Sequence, residues 1–130
     1  MRFIIFAAEK SEMPSIDENF SNLETFRMKI TNGWLDQAKK VPSPNFNIRP
    51  ANTSVNLLVI HNISLPPEEF GTPYIELFFQ NKLPYDAHPY FDHLKGVEVS
   101  SHFLIKRDGQ IIQFVSCDDR AWHAGESEFC

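Results

Sequence analysis

Cysteine is scarce in this chain: Cys117 and Cys130 are the whole supply. Two thiols, one of them the last residue, cannot build a disulfide scaffold, and nothing here requires an oxidising compartment. Long apolar runs are absent too. No stretch approaches the ~20 apolar residues of a membrane span. The opening run Phe3–Ala8 is cut off by Glu9-Lys10, short of the roughly 7–15 residues of a signal-peptide core. The expected compartment is therefore the cytoplasm, with no membrane partner.

Positive charge is also in deficit. The chain carries 12 Lys and Arg against 17 Asp and Glu, a formal net charge of -5. The imbalance lies in residues 51–130, where 5 basic residues face 11 acidic ones. Such a body repels phosphate backbones and anionic membrane surfaces, so no nucleic-acid partner is expected. There is no G-x-S-x-G, no P-loop and no dinucleotide fingerprint. Nor is there an internal repeat or low-complexity tract.

What remains is one domain's worth of ordinary globular sequence. The 130 residues are 42% hydrophobic and 13% aromatic, with 12 Phe. That supports a real core or an apolar binding face. Phe3–Phe6 reads as a short strand or as nothing. Residues 11–22 read as loop or disorder. Residues 33–40 read as helical until Val41-Pro42-Ser43-Pro44 breaks the pattern. The continuous run Val55–His61 reads as a central buried strand. Residues 70–81 read as a helix, with Pro73 in its first turn. Residues 97–116 read as a hairpin turning at Lys106-Arg107-Asp108-Gly109, since Asp-Gly is a strong turn signal. Residues 118–125 read as a compact loop. The fold class is α/β (α+β).

The chemistry centres on histidine. His61 ends the best strand, where α/β sheets present ligands and catalytic groups. A neutral imidazole there serves either as a Zn²⁺ ligand or as a simple strand-end hydrogen-bonding group. His88 and His93 are five apart in a Pro-containing loop, which is no helical ligand pair and reads as a solvated loop. His102 lies on a strand and reads as a hydrogen-bonded core residue. Trp122-His123-Ala124-Gly125 is either a binding wall or a structural turn around a core Trp. Cys117 precedes Asp118-Asp119, whose carboxylates discourage a thiolate, so a Cys nucleophile is not expected.

Several strings go further. They are Gly33-Trp34-Leu35, Val41-Pro42-Ser43-Pro44-Asn45-Phe46 and the long run from Val59 to Gly71 (VIHNISLPPEEFG). Ala87-His88-Pro89-Tyr90-Phe91, Val99 to Ile105, Arg107-Asp108-Gly109 and Arg120-Ala121-Trp122-His123-Ala124-Gly125 join them. Together they resemble the zinc N-acetylmuramoyl-L-alanine amidases, relatives of phage T7 lysozyme and the peptidoglycan-recognition proteins. The resemblance runs from Met28 to Phe129 in one register. It implies a mixed central β-sheet with flanking helices. It also implies a Zn²⁺-dependent hydrolase that cuts the lactyl–L-Ala amide of anhydro-muropeptides in cell-wall recycling, acting as a monomer. His61 matches the first zinc ligand. Asn62, Tyr90, Phe91, Ala121, Trp122 and His123 match positions at or around the substrate cleft. Glu98 stands where some relatives carry Arg, which reverses any anion contact from that position.

The family's remaining zinc ligands and catalytic groups find no match up to Cys130. The expected organisation is thus an N-terminal extension, residues 1–27, disordered or preceding the true start, then residues 28–130 as the N-terminal part of an amidase domain. No catalytic residue is expected within the chain. The amidase reading therefore has an alternative: a catalytically inactive muropeptide-binding or non-functional fragment.

Overall fold

The computed structural model describes residues 2–9 and 28–123. Strand β1 (Arg2–Glu9) opens the chain. Short strands β2 (Ile30–Thr31), β3 (Trp34–Leu35), β4 (Lys39–Lys40) and β5 (Phe46–Ile48) follow, then the long strand β6 (Ser54–Asn62). Helix α1 (Tyr74–Phe79) and a 3-10 helix (Pro89–Leu94) come next. Strands β7 (Phe103–Ile105), β8 (Ile111–Gln113) and β9 (Asp119–Ala121) complete the order. One five-stranded sheet runs β4-β8-β7-β1-β6, and two-stranded ribbons β2-β3 and β5-β9 lie beside it. All pairings are antiparallel except β4 with β8.

The hairpin forms where the Asp-Gly signal put it. Lys106 N–H donates to the Gln110 carbonyl at 2.9 Å, and Gly109 N–H to the Lys106 carbonyl at 3.0 Å. The helix over 70–81 is real but shorter, and Pro73 is its N-cap. Residues 33–40 are not helical. Asn32 and Gly33 both have positive φ, 53° and 81°, a left-handed pair that suits a hairpin turn and ends a helix. Residues 118–125 were expected as loop, yet Asp119–Ala121 pairs with Phe46–Ile48. Phe3–Phe6 lies within β1, and residues 10–27 of the expected extension lie outside the described residues. β6 also departs from expectation. It is an edge strand among the described residues, and Leu58 and Ile60 are 54% and 56% exposed. An apolar run alone does not distinguish a strand buried on both faces from one covered on a single face.

The core lies under the helices. Ile75, Phe78 and Phe79 of α1 pack with Leu83, Phe91, Leu104, Ile112, Phe114 and Val115. Phe79 meets Phe114 edge to face at 4.9 Å between centroids, a favoured aromatic geometry.

Two buried amides tie this core to the loops. Gln113 accepts from Leu35 N–H at 2.7 Å through Oε1, and its Nε2 donates to the Gly33 and Val115 carbonyls at 2.8 and 2.9 Å. It thereby holds the β2-β3 ribbon against β8. Asn45 is the second. Its Nδ2 donates to Asn81 Oδ1 at 2.8 Å and the Val99 carbonyl at 2.9 Å, and Asn81 Nδ2 returns a bond to Asn45 Oδ1 at 2.9 Å. Ser43 Oγ donates to the Phe79 carbonyl beside them.

Two stability changes are expected. Asn45→Ala strands several buried groups at once and should cost about 3 kcal/mol in urea unfolding; a loss below about 1 kcal/mol would show that the network is dispensable. Gly33→Ala adds a Cβ 2.0 Å from Ser116 Oγ at a φ of +81°. It should cost about 2 kcal/mol, and adding Ser116→Gly should recover only the part due to the Ser116 clash, leaving the backbone part and the close approach to Asp118 and Cys117 visible in the double variant.

Candidate active site

His61 is the next-to-last residue of β6 and is exposed there. Its Nδ1 lies 2.7 Å from the Asn62 carbonyl. A carbonyl only accepts, so Nδ1 carries the hydrogen and Nε2 carries the lone pair, the tautomer a metal ligand or general base uses. The His123 ring lies 6.0 Å from that of His61, between centroids, in an edge-on orientation of 72°. Burial, and then the neighbouring His61, push the His123 pKa below the ordinary imidazole value, favouring a neutral ring.

The chain around His123 is held from three sides. β9 pairs with β5, placing Ala121 opposite Phe46. Trp122 N–H donates to the Asn45 carbonyl at 3.2 Å, and Ser100 N–H donates to the Trp122 carbonyl at 2.7 Å. Ser100 Oγ donates to the Asn45 carbonyl at 2.6 Å. The Trp122-His123 step is therefore pinned before it meets the β6 end.

The carboxyl ends of β6 and β7 border a cavity of about 470 Å³. Asn62, Ile63, Ser64, Phe70, Ile105, Lys106 and Arg107 line it. Successive strand residues face opposite sides of a sheet, so Asn62 borders the cavity while His61 turns toward His123. Arg107 lies 3.5 Å over the Phe70 ring, a cation–π contact. Lys106 Nζ pairs with Glu76 Oε1 at 2.7 Å.

The other candidates fall in two groups. Tyr90, on the 3-10 helix, is 39% exposed and meets the His93 ring at a tilt, 5.8 Å between centroids. Trp122 is partly buried. Phe91 departs from the expectation of a cleft contact: it is 0% exposed, wedged against Tyr74 and His88. Ala121 is likewise buried in β9. A side chain without accessible surface shapes the wall from behind instead of touching a ligand. His88 caps the 3-10 helix, its Nδ1 accepting from Tyr90 N–H at 3.1 Å. Missing from the sequence-based candidates are Asn45 and Ser100, which pin the Trp122-His123 step. The only signal for Asn45 was its place in the Val41–Phe46 string.

His102 is the core histidine expected. It is fully buried, and its Nε2 donates to the Asp119 carbonyl at 2.8 Å. The Arg49 guanidinium lies 3.4 Å from the same ring nitrogen, where it disfavours a charged imidazole, and Arg49 Nη2 donates to the Cys117 carbonyl at 3.2 Å. Burial, with help from Arg49, lowers the His102 pKa to about 4. Burial, then Asp118, raises the Cys117 thiol to about 11, so no thiolate is available near neutrality.

The lowered His102 pKa has a sign. An unfolded histidine titrates near 6.5, so the unfolded chain binds this proton first as pH falls. The stability that His102 lends is full above about pH 6.5 and is lost between there and pH 4. The loss should reach about 3 kcal/mol. Unfolding free energies measured between pH 7 and 4 should show it, and ring titration by NMR should place His102 well below 6.5. A normal ring pKa would contradict the buried placement.

Comparisons with known proteins give the family and the fold. A family model described as N-acetylmuramoyl-L-alanine amidase matches residues 51–129. The 1,6-anhydro-N-acetylmuramyl-L-alanine amidase AmpD of Citrobacter freundii is 50% identical over 102 residues, covering 78% of this chain and 54% of that protein. The AmpD of Escherichia coli K12 is 49% identical over 102 residues, covering 78% and 56%. A crystal structure of a selenomethionine AmpD derivative superposes with a TM-score of 0.67 at 43% identity, covering 78% of this chain and 57% of that one. The chain spans about half the length of the curated relatives it matches. Its mixed sheet and few helices are the α+β fold of these structures, and the chain belongs to the N-acetylmuramoyl-L-alanine amidase family.

Proposed function

We propose that this protein acts as an amidase on anhydro-muropeptides, hydrolysing the amide between the lactyl group and L-Ala during cell-wall recycling in the cytoplasm. Family membership supports the reaction type, and the AmpD relatives supply the substrate class. The observation that carries the reading locally is the meeting of His61 and His123 at the end of β6, beside the cavity bordered by Asn62.

In the reaction a water adds to the amide carbonyl, the C–N bond breaks, and the leaving amine takes a proton. Asn62 offers an amide at the cavity wall for the substrate's polar groups. Tyr90 and Trp122 offer aromatic surface for its apolar parts. His123, favoured neutral, has one ring nitrogen to donate and one to accept a hydrogen bond. Phe91 and Ala121 support this wall from the core. No helix among the described residues is long and apolar enough to cross a membrane.

Zinc is the family cofactor in this reading, with His61 as one ligand. A catalytic zinc takes three protein ligands and a water. Among the described residues no group of three or more His, Cys, Asp or Glu side chains is placed to hold a metal. His61 and His123 bring together two imidazoles. These residues alone do not complete a catalytic zinc centre.

The test uses the protein purified from its native source, with its intact mass recorded. Release of the stem peptide from an anhydro-muropeptide is followed by mass spectrometry, and bound zinc is quantified by elemental analysis. Hydrolysis is expected, and His61→Ala should lower it at least about a hundredfold. Substrate binding without turnover, or full activity in His61→Ala, would overturn the reading.

A further inference from the structure

β9 is too short to place itself. Three residue pairs join it to β5, in a ribbon outside the five-stranded sheet, and a lone two-stranded pairing is marginal in water. Asn45 and Ser100 pin its far end, at Trp122. Its near end is fastened by a different pair of side chains. His102 Nε2 donates to the carbonyl of Asp119, the first residue of β9, at 2.8 Å. Arg49, the residue after β5, donates from Nη2 to the Cys117 carbonyl at 3.2 Å. Ring and guanidinium meet at 3.4 Å. Both strands of the ribbon are thus held at one joint.

The sheet side of this joint is fixed. Phe114 N–H donates to the His102 carbonyl at 2.9 Å, and the next residue, Phe103, begins β7, which pairs with β8. The ribbon is the side able to move. The joint also tolerates only a neutral ring. The described residues alone bury His102 completely. With Nε2 already donating, an added proton goes to Nδ1. β7 and β8 carry no charged residue. The charged and titratable groups around the joint are Arg49 from the β5 side, and Cys117, Asp118, Asp119 and Arg120 from the β9 side. Arg49 acts against a charged ring, while Asp118 and Asp119 favour the charge on Arg49. A protonated His102 therefore faces a guanidinium that stays charged, in a site closed to solvent. The ring regains hydration only when Arg49 and the start of β9 move off it.

We propose that His102 is a positioning residue for His123: its neutral ring, together with Arg49, clamps the base of β9 to the sheet, and a proton taken up by the ring releases that base and draws the Trp122-His123 step away from His61. His102 acts through Asp119 and the three residues of β9. The inference rests on the reading that His61 and His123 form the site, and its signals are independent of turnover. Failure of the amidase assay and failure of the clamp are therefore separate results.

The experiment uses the full chain with Trp34→Phe, which leaves Trp122 as its single tryptophan. The emission maximum, far-UV circular dichroism and the His102 ring resonance are followed from about pH 7 to about pH 4. The opening equilibrium of the ribbon should rise about a hundredfold over that range, given a ring that titrates near 4 when clamped and near 6.5 when hydrated. Trp122 emission should move to the red in one step, with the midpoint of the His102 titration, while the circular dichroism stays native. His102→Gln keeps an Nε2 donor for the Asp119 carbonyl and cannot take the proton, so its emission should not move. His102→Ala lacks the donor and should show the red-shifted emission already near neutrality. Should the variants fail to fold, the two midpoints in the chain with native His102 decide the matter. A step that survives in a folded His102→Gln chain, emission that changes only together with the circular dichroism, or midpoints that differ would each overturn the proposal.

Discussion

The site depends on one buried carboxamide. Asn45 is 1% exposed, and it gathers strands and loops that are far apart in the chain. Its side chain reaches the Val99 carbonyl and exchanges bonds with Asn81 just beyond α1. Its own carbonyl takes Trp122 N–H and Ser100 Oγ. A buried amide with every group paired specifies geometry far better than apolar packing, because any displacement leaves a polar group without a partner in a medium that cannot hydrate it. The Trp122-His123 step inherits that precision. The histidine pair is thus set partly by a residue that touches neither ring.

Gln113 plays the matching part for the β2-β3 ribbon. The chain there turns through left-handed residues and pairs over only two positions, too little to stand alone. Gln113 supplies an acceptor and a donor to its backbone. Gly33 is needed for two separate reasons: its positive φ and the closeness of Ser116. The stretch is stable because β8 carries it, on a turn that Asn32 and Gly33 permit.

That explains which parts were legible in the sequence. The Asp108-Gly109 hairpin was legible because a two-residue turn signal acts locally. α1 was legible because Tyr74, Leu77 and Phe78 repeat at helical spacing. The helix expected over residues 33–40 failed because Trp34, Leu35 and Ala38 mimic an amphipathic repeat, while the deciding bonds come from Gln113, far along the chain. The exposed face of β6 was invisible for a similar reason, since a run of Leu, Val and Ile does not reveal which faces are covered. His61 stood out by its place at a strand end, and His123 by its aromatic, glycine-containing setting. That the two rings meet follows from tertiary pairing alone. Phe91 was named with Tyr90 as a position around the cleft on the family resemblance; on a 3-10 helix the two neighbours turn to different environments, one to solvent and one to the core.

The pairing of β1 with β7 sets Arg2 opposite Ile105, joining nearly the two extremes of the described chain. Such contacts must repay a large loop-closure entropy before they contribute anything. During synthesis the first strand leaves the ribosome with neither of its neighbours yet made. It finds β6 only after residue 62 has emerged, and β7 some forty residues later still. Until then an apolar segment and, afterwards, an uncharged nine-residue strand are exposed together. The sheet therefore cannot close until residue 105 has emerged, and the interval before closure is when nascent chains are most open to mispairing with one another.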